Sequence, residues 1–115
     1  PEKIGVGIDI INVSRFRNMP FEQKSSFYKK IFQTNEINYC LKFKDPYTHF
    51  AGKFALKEAL IKSIDKKIFL SEIETSHLNS KPIINISKNI KDYRFIASLS
   101  HENEFAIAVI LSVKN

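Results

Sequence analysis

Apolar and polar positions alternate along "IGVGIDII", residues 4–11, which is the period of a half-buried strand. Ile4, Val6, Ile8 and Ile10 would share one face, and Gly5, Gly7 and Asp9 the other. The period then lengthens. In "NVSRFRNM" the residues Val13, Phe16 and Arg17 are three or four apart, Asn12 is a suitable cap, and Pro20 ends the element. Phe21, Phe27, Ile31 and Phe32 predict a short helix over 21–32, and "QTNE" opens another over roughly 34–43.

"DPYTHFAGKFALKEALIKSI" is the clearest helix. Asp45 is placed to cap it, Pro46 suits its first position, and only Gly52 interrupts the following turns. Beyond residue 68 the pattern returns to strands, over 70–76, 82–86, 94–101 and 105–113, with a turn-like "LNSKP" after the first and room for a short helix near 87–93. The last two strands flank "HENE" and predict a hairpin. With no internal repeat, low-complexity tract or linker, the expectation is one α+β domain over 1–115, a small antiparallel sheet packed with a long central helix.

Composition narrows the classes. The 115 residues suffice for one modest core, and 43% hydrophobic with 26% charged residues is ordinary for a soluble globular protein. No apolar run has the length to span a bilayer, and nothing at the amino terminus reads as a secretion signal. Cys40 is the only cysteine, which excludes a disulfide framework and a Cys-rich zinc site within one chain. A cytoplasmic protein is expected. The net charge of +6 predicts an anionic partner. Only Arg15, Arg17 and Arg94 among the basic residues are arginines, a balance suited to phosphate or carboxylate attraction rather than to reading base edges.

Three constellations carry chemistry. Glu58 shares a helical stripe with Phe54 and Ile61, so it should be partly buried and needs a positive partner; Lys62, four residues on, is the simplest one. Asp9 could merely help cap the next helix, yet glycines on its strand face mark where a ligand or another backbone comes close. One strand acid and one helix acid beside apolar surface together make a hard-cation site of the kind Mg²⁺ shares with substrate phosphates. In "SLSHE" the neighbours Ser100 and His101 point to opposite strand faces, against a serine-hydrolase reading; His101 is either solvated or a donor to phosphate. The spacing of His49, His77 and His101 fits no zinc motif.

Taken together, "GVGIDIINVSRF", "FAGKFALKEALIKS", "SKPIINI" and "ASLSHENEFAIAVI" resemble, in this order and over almost the whole chain, the motifs of the short bacterial phosphopantetheinyl transferases, the holo-acyl-carrier-protein synthase family. The resemblance implies transfer of the 4′-phosphopantetheine arm of coenzyme A to a serine of apo-acyl carrier protein, in support of fatty acid biosynthesis, with release of adenosine 3′,5′-bisphosphate. It implies that Asp9 and Glu58 hold Mg²⁺ and serve catalysis with Lys62, and that Lys53, Lys62, Ser100 and His101 contact coenzyme A. It places Arg15 and Arg17 where the carrier docks, and it implies a homotrimer with no nucleic-acid or membrane partner. The sequence departs from the family at Lys53, where arginine is usual, at Asp65-Lys66-Lys67, which replaces a Gly-x-Gly turn and leaves Lys66 or Lys67 as substitute phosphate contacts, and at Ser80, where glycine is usual. Two rival readings share the charge pattern: a metal-dependent hydrolase of a nucleotide diphosphate, and a non-catalytic nucleotide- or nucleic-acid-binding module.

Overall fold

The computed structural model describes residues 3–86, 90 and 92–115. Strand β1 (Lys3–Asn12) leads into α1 (Ser14–Arg17), α2 (Phe21–Ile31), α3 (Thr34–Leu41) and the long α4 (Pro46–Ser63). A 3-10 turn (Leu70–Glu72) precedes β2 (Ile73–Leu78), β3 (Lys81–Ile86), β4 (Tyr93–Glu102) and β5 (Phe105–Lys114). The short helix expected near 87–93 falls on 87–89 and 91, outside the described residues, and Tyr93 already belongs to β4.

Helix starts follow their caps. Asn12 Oδ1 accepts from the Ser14 amide at 3.0 Å, and Asp45 accepts from the Tyr47 amide at 3.3 Å and the Thr48 hydroxyl at 2.9 Å. Gln33 and Glu36 form a reciprocal capping box at the start of α3, which stops at Leu41, two residues short of the expected end. The first strand after α4 begins at Ile73 rather than 70, because residues 70–72 close the 3-10 turn, and it runs on to Leu78.

The strands form a three-stranded antiparallel sheet in the order β1-β5-β4 and a two-stranded ribbon, β2-β3. The β4–β5 hairpin turns at Asn103 and Glu104 within "HENE", with Asn103 at φ 52°, a left-handed conformation that asparagine tolerates. Helix α4 lies across the sheet and is buried over nearly its whole surface. An aromatic cluster covers one side of it, with Tyr28 and Phe50 centroids 4.6 Å apart, Phe32 and Phe50 5.0 Å, and Phe16 and Phe54 5.5 Å. Ala106, Ala108 and Ile110 of β5 are fully buried on the inner face of the sheet.

The sense of the alternation in β1 is the reverse of the usual one. Its glycine face packs inward and its isoleucine face points out. A Cβ at Gly7 would lie 1.7 Å from the Ala59 carbonyl oxygen, and one at Gly5 would lie 2.0 Å from that of Ser63. The backbone that the glycines admit is therefore that of α4. Ile4, Val6, Ile8 and Ile10 remain between 58% and 74% exposed. Leu111 and Ile96, paired across the sheet with Val6 as one row, extend this apolar face over β5 and β4.

Candidate functional site

Two glycines bring β1 against the second half of α4, and Asp9 follows them on the same face of the strand. Its carboxylate is largely enclosed, with 12% of the side chain exposed. Lys62 donates to Asp9 Oδ1 and to the Ile8 carbonyl oxygen, both at 3.1 Å. The other carboxylate oxygen, Oδ2, is buried without a hydrogen-bond partner. Glu58 is half-buried one helical turn before Lys62, on the same side of α4, and takes no hydrogen bond or ion pair from any described residue. Lys62, expected as the partner of Glu58, therefore pairs with Asp9 instead.

An enclosed carboxylate oxygen without a donor is costly unless a ligand completes it. The half-exposed Lys62 ammonium bonds the other Asp9 oxygen, and one helical turn before Lys62, on the same side of α4, stands Glu58, a second carboxylate without a donor among the described residues. This donor set fits a hard divalent cation that takes two protein oxygens and completes its shell with water and substrate oxygens. Among the described residues no group of three or more His, Cys, Asp and Glu side chains is arranged to hold a metal, so a closed zinc-type site is not an alternative. Phe54 is the apolar neighbour of Glu58 one turn earlier, and the Arg15 guanidinium lies 5.5 Å from the Phe54 ring centroid, with its side chain exposed at the rim of the same region.

The remaining expected residues are distributed differently. Lys53 is fully buried; its ammonium donates to the Thr75 carbonyl oxygen at 2.8 Å and to Thr75 Oγ1 at 3.1 Å, and it lies 4.8 Å from the Tyr39 ring centroid. Together with His101 it lines a cavity of about 230 Å³ at the other end of α4. His101 sits on the inner face of β4, where a Cβ at Gly52 would come within 3.1 Å of its Nε2. Ser100, implied with it as a coenzyme A contact, points to the opposite face as the strand alternation predicts; it is exposed, opposite Ile107, and does not enter the site of its own chain. Arg17 also departs from expectation. Its guanidinium bonds Glu104 through Nε at 3.0 Å and Nη2 at 3.1 Å, and Asp45 through Nη1 at 2.8 Å. It clamps α1 to the β4–β5 turn and the start of α4, so its charge is matched within the chain, and Arg15 is the freer of the two for docking. The Asp65–Lys67 segment is an exposed loop, with the Lys67 ammonium 5.8 Å from the Phe69 ring centroid.

Sequence reasoning missed a buried network. Lys57 is completely enclosed, and its ammonium donates to Glu36 Oε1 at 2.6 Å and to the carbonyl oxygens of Ile73 at 2.7 Å, Ile31 at 2.8 Å and Leu70 at 3.1 Å. Glu36 also accepts from the Gln33 amide, the Thr75 amide and Thr75 Oγ1. This pair ties α2, α3, α4 and β2 together from within and leaves Lys57 no path to a substrate. Burial lowers the proton affinity of Lys57, and Glu36 opposes that change. It also missed the convergence of His49 and His77 on the His101 cavity. For His49 a signal existed, since it stands one turn before Lys53 on the same helix face.

With the geometry in place, comparison with known proteins decides the family. The model of the 4′-phosphopantetheinyl transferase superfamily matches residues 5–110. This chain belongs to that superfamily. Among its relatives is a holo-[acyl-carrier-protein] synthase of Halothermothrix orenii, 37% identical over 93% of this chain and 94% of the relative. The transferase fold is shared with solved structures. The holo-(acyl-carrier-protein) synthase of Bacillus anthracis, in complex with CoA (3′,5′-ADP), superposes with a TM-score of 0.80 at 31% identity, covering 96% of each chain. That of Helicobacter pylori, in complex with coenzyme A, gives 0.77 at 34% identity, covering 91% of this chain and 96% of the other.

Proposed function

We propose that this chain transfers the 4′-phosphopantetheine group of coenzyme A to a serine hydroxyl of apo-acyl carrier protein, as a holo-[acyl-carrier-protein] synthase of fatty acid biosynthesis. The observation that carries the site assignment is the enclosed Asp9 Oδ2 without a donor, on a carboxylate bonded by Lys62, one turn after the unpartnered Glu58 on α4. Asp9 and Glu58 would hold Mg²⁺, which when bound supplies charge neutralisation at the diphosphate of coenzyme A.

The chain's own residues do the rest. The serine oxygen forms a bond to the β-phosphorus, which carries pantetheine, its hydroxyl proton passing to water, and the bond from that phosphorus to the bridging oxygen breaks, releasing adenosine 3′,5′-bisphosphate. Lys62, on an extended and half-exposed stem, turns from Asp9 to the phosphate oxygens and follows the negative charge as it moves toward the bridging oxygen. Phe54 and the β1 backbone wall one side of the site against water. Lys53 and His101 hold an anionic part of coenzyme A, and Arg15 meets the acidic carrier. Burial pushes the Cys40 thiol up to about 12, which leaves no competing thiolate nucleophile in the core.

Assembly belongs to the same reading. The exposed isoleucine face of the sheet is larger in character than scattered surface apolar residues, and it suits burial against further copies of the chain in a homotrimer. Lys53 and Glu58 are five residues apart on α4, about 140° around the helix, so the metal end and the His101 end face different sides of one subunit. A ligand contacting both is best accommodated where two subunits meet, and there Ser100, on the outer sheet face, becomes available. No helix among the described residues is long and apolar enough to cross a membrane. The proposed setting is the cytoplasm, with no nucleic-acid or membrane partner.

The test mixes the protein with coenzyme A, Mg²⁺ and an apo-carrier protein and weighs the intact carrier. A mass increase of one phosphopantetheine arm is expected. Cleavage of coenzyme A with an unmodified carrier would replace this reading with the hydrolase.

A further inference from the structure

All three histidines of the chain converge on one cavity. His49 and Lys53 of α4, His77 of β2 and His101 of β4 line its volume of about 230 Å³, and Tyr39 of α3 forms a wall. None of its described lining residues is acidic. The rings are held by packing rather than by polar bonds. His49 stacks on Phe43 at 3.7 Å between centroids and meets Tyr39 edge-on at 5.9 Å, while His77 stacks on Tyr39 at 5.7 Å. The His101 ring is seated against Gly52. Among the described residues, no imidazole of the three makes a hydrogen bond. Lys53 gives its ammonium to Thr75, and burial lowers its proton affinity while Cys40, Glu36 and Glu74 oppose that change.

The charged groups around the rings explain the protonation state of the free protein. Burial, then His101 and Lys53, hold the His49 imidazole below its ordinary range, and only Asp45 at the start of α4 pulls the other way. Burial, then Lys53 and His49, do the same to His77. Lys42, just past the end of α3, and Glu74 of β2 border the adjoining cleft that shares Tyr39, Lys53 and His77, and they carry opposite charges. His101 is the titratable group that β4 contributes to the lining. Burial and neighbouring positive charge oppose protonation of His49 and His77, and a dianion entering the cavity would offset both and favour their charged forms.

We propose that His49 and His77 act with His101 as further substrate-binding residues, gripping an anionic phosphate of coenzyme A, and that the cavity takes up a proton as that group enters. This rests on coenzyme A being the substrate, as argued above. The sign is fixed: imidazoles that are neutral in the free protein and charged in the complex make binding weaker as pH rises. The secondary ionisation of a phosphate monoester, with a pKa of about 6, would blur this below neutrality, so the useful range is pH 7 to 9.

Titration calorimetry with coenzyme A in two buffers of different ionisation heat counts the protons. The wild-type protein should take up protons on binding at pH 7, and its Kd should rise about tenfold between pH 7 and 9. In the double variant His49→Gln/His77→Gln the uptake should fall, and the pH 7 Kd should weaken about tenfold toward the wild-type value at pH 9. Circular dichroism checks the variant's fold, and the wild-type proton count does not depend on the variant. No proton uptake by the wild type, or an undiminished uptake in the double variant, overturns the proposal. Carrier modification with a pH-indifferent affinity for coenzyme A defeats this inference alone, whereas a protein that neither binds coenzyme A nor modifies the carrier defeats both readings.

Discussion

Two glutamates, one packed against α4 and one on it, show what separates a satisfied acid from an unsatisfied one. Glu58 has Lys62 four residues on along α4, whereas Glu36 meets its α4 lysine, Lys57, from 21 positions away. Glu36 is fully enclosed, and its two oxygens receive four hydrogen bonds, from Lys57, Gln33 and twice from Thr75. Nothing remains for it to bind. Glu58 is half-buried with no donor among the described residues, and Asp9 keeps one buried oxygen unmatched. The fold satisfies Glu36 completely, gives Asp9 a partner at one oxygen only, and gives Glu58 none among the described residues. In a chain of net charge +6, donors are not scarce, so the omission is a property of the site.

The sharpest way to break the comparison is to neutralise each acid in turn. Asp9→Asn and Glu58→Gln should each lower carrier modification by about 1,000-fold or more, roughly 4 kcal/mol of barrier, while urea unfolding without metal is unchanged or shifts to higher midpoint. Removal of charge at a site that repels itself relieves strain in the metal-free protein. Normal turnover in either variant would return these acids to the surface background.

Lys57→Met should do the opposite. Breaking a buried pair leaves Glu36 with an uncompensated charge and costs about 3–5 kcal/mol, visible in urea unfolding. The folded fraction that survives should bind coenzyme A with normal affinity, because Lys57 has no route to the ligand. Gly7→Ala falls between the two. Its new methyl group would overlap the Ala59 carbonyl, forcing β1 off α4 at a cost of about 1–3 kcal/mol and moving Asp9 with it, so both stability and turnover should drop. Arg17→Gln should have the smallest effect, under about 1 kcal/mol, since its partners are well exposed. Its KM for the carrier should stay near the wild-type value, and that of Arg15→Gln should rise; the reverse order would restore Arg17 as the docking residue.

Legibility in the sequence followed the range of the interaction. Asp45 and Pro46 announced the start of α4 because a cap is a local arrangement, and "HENE" announced its turn for the same reason. Asp9 and Glu58 each stood out in the sequence because each stood on a face whose neighbours made a bare carboxylate awkward. The inverted burial of β1 was hidden. Alternating isoleucine and glycine sets a strand with two unlike faces, and only the approach of α4 decides which is inside. "QTNE" read as a helix start, and Glu36 does accept from the Gln33 amide there, but its second oxygen is matched by Thr75, 39 positions away. Arg17 and Glu104 are 87 positions apart, and no local pattern could have joined them.

Direct measurement of cation binding bears most closely on the shared-ion claim. Electron paramagnetic resonance of Mn²⁺ titrated into the protein with coenzyme A should show one bound ion per chain, displaced by Mg²⁺ and lost in both Asp9→Asn and Glu58→Gln. Equal Mn²⁺ binding in the two variants, or full carrier modification by the wild type in excess chelator, would contradict it.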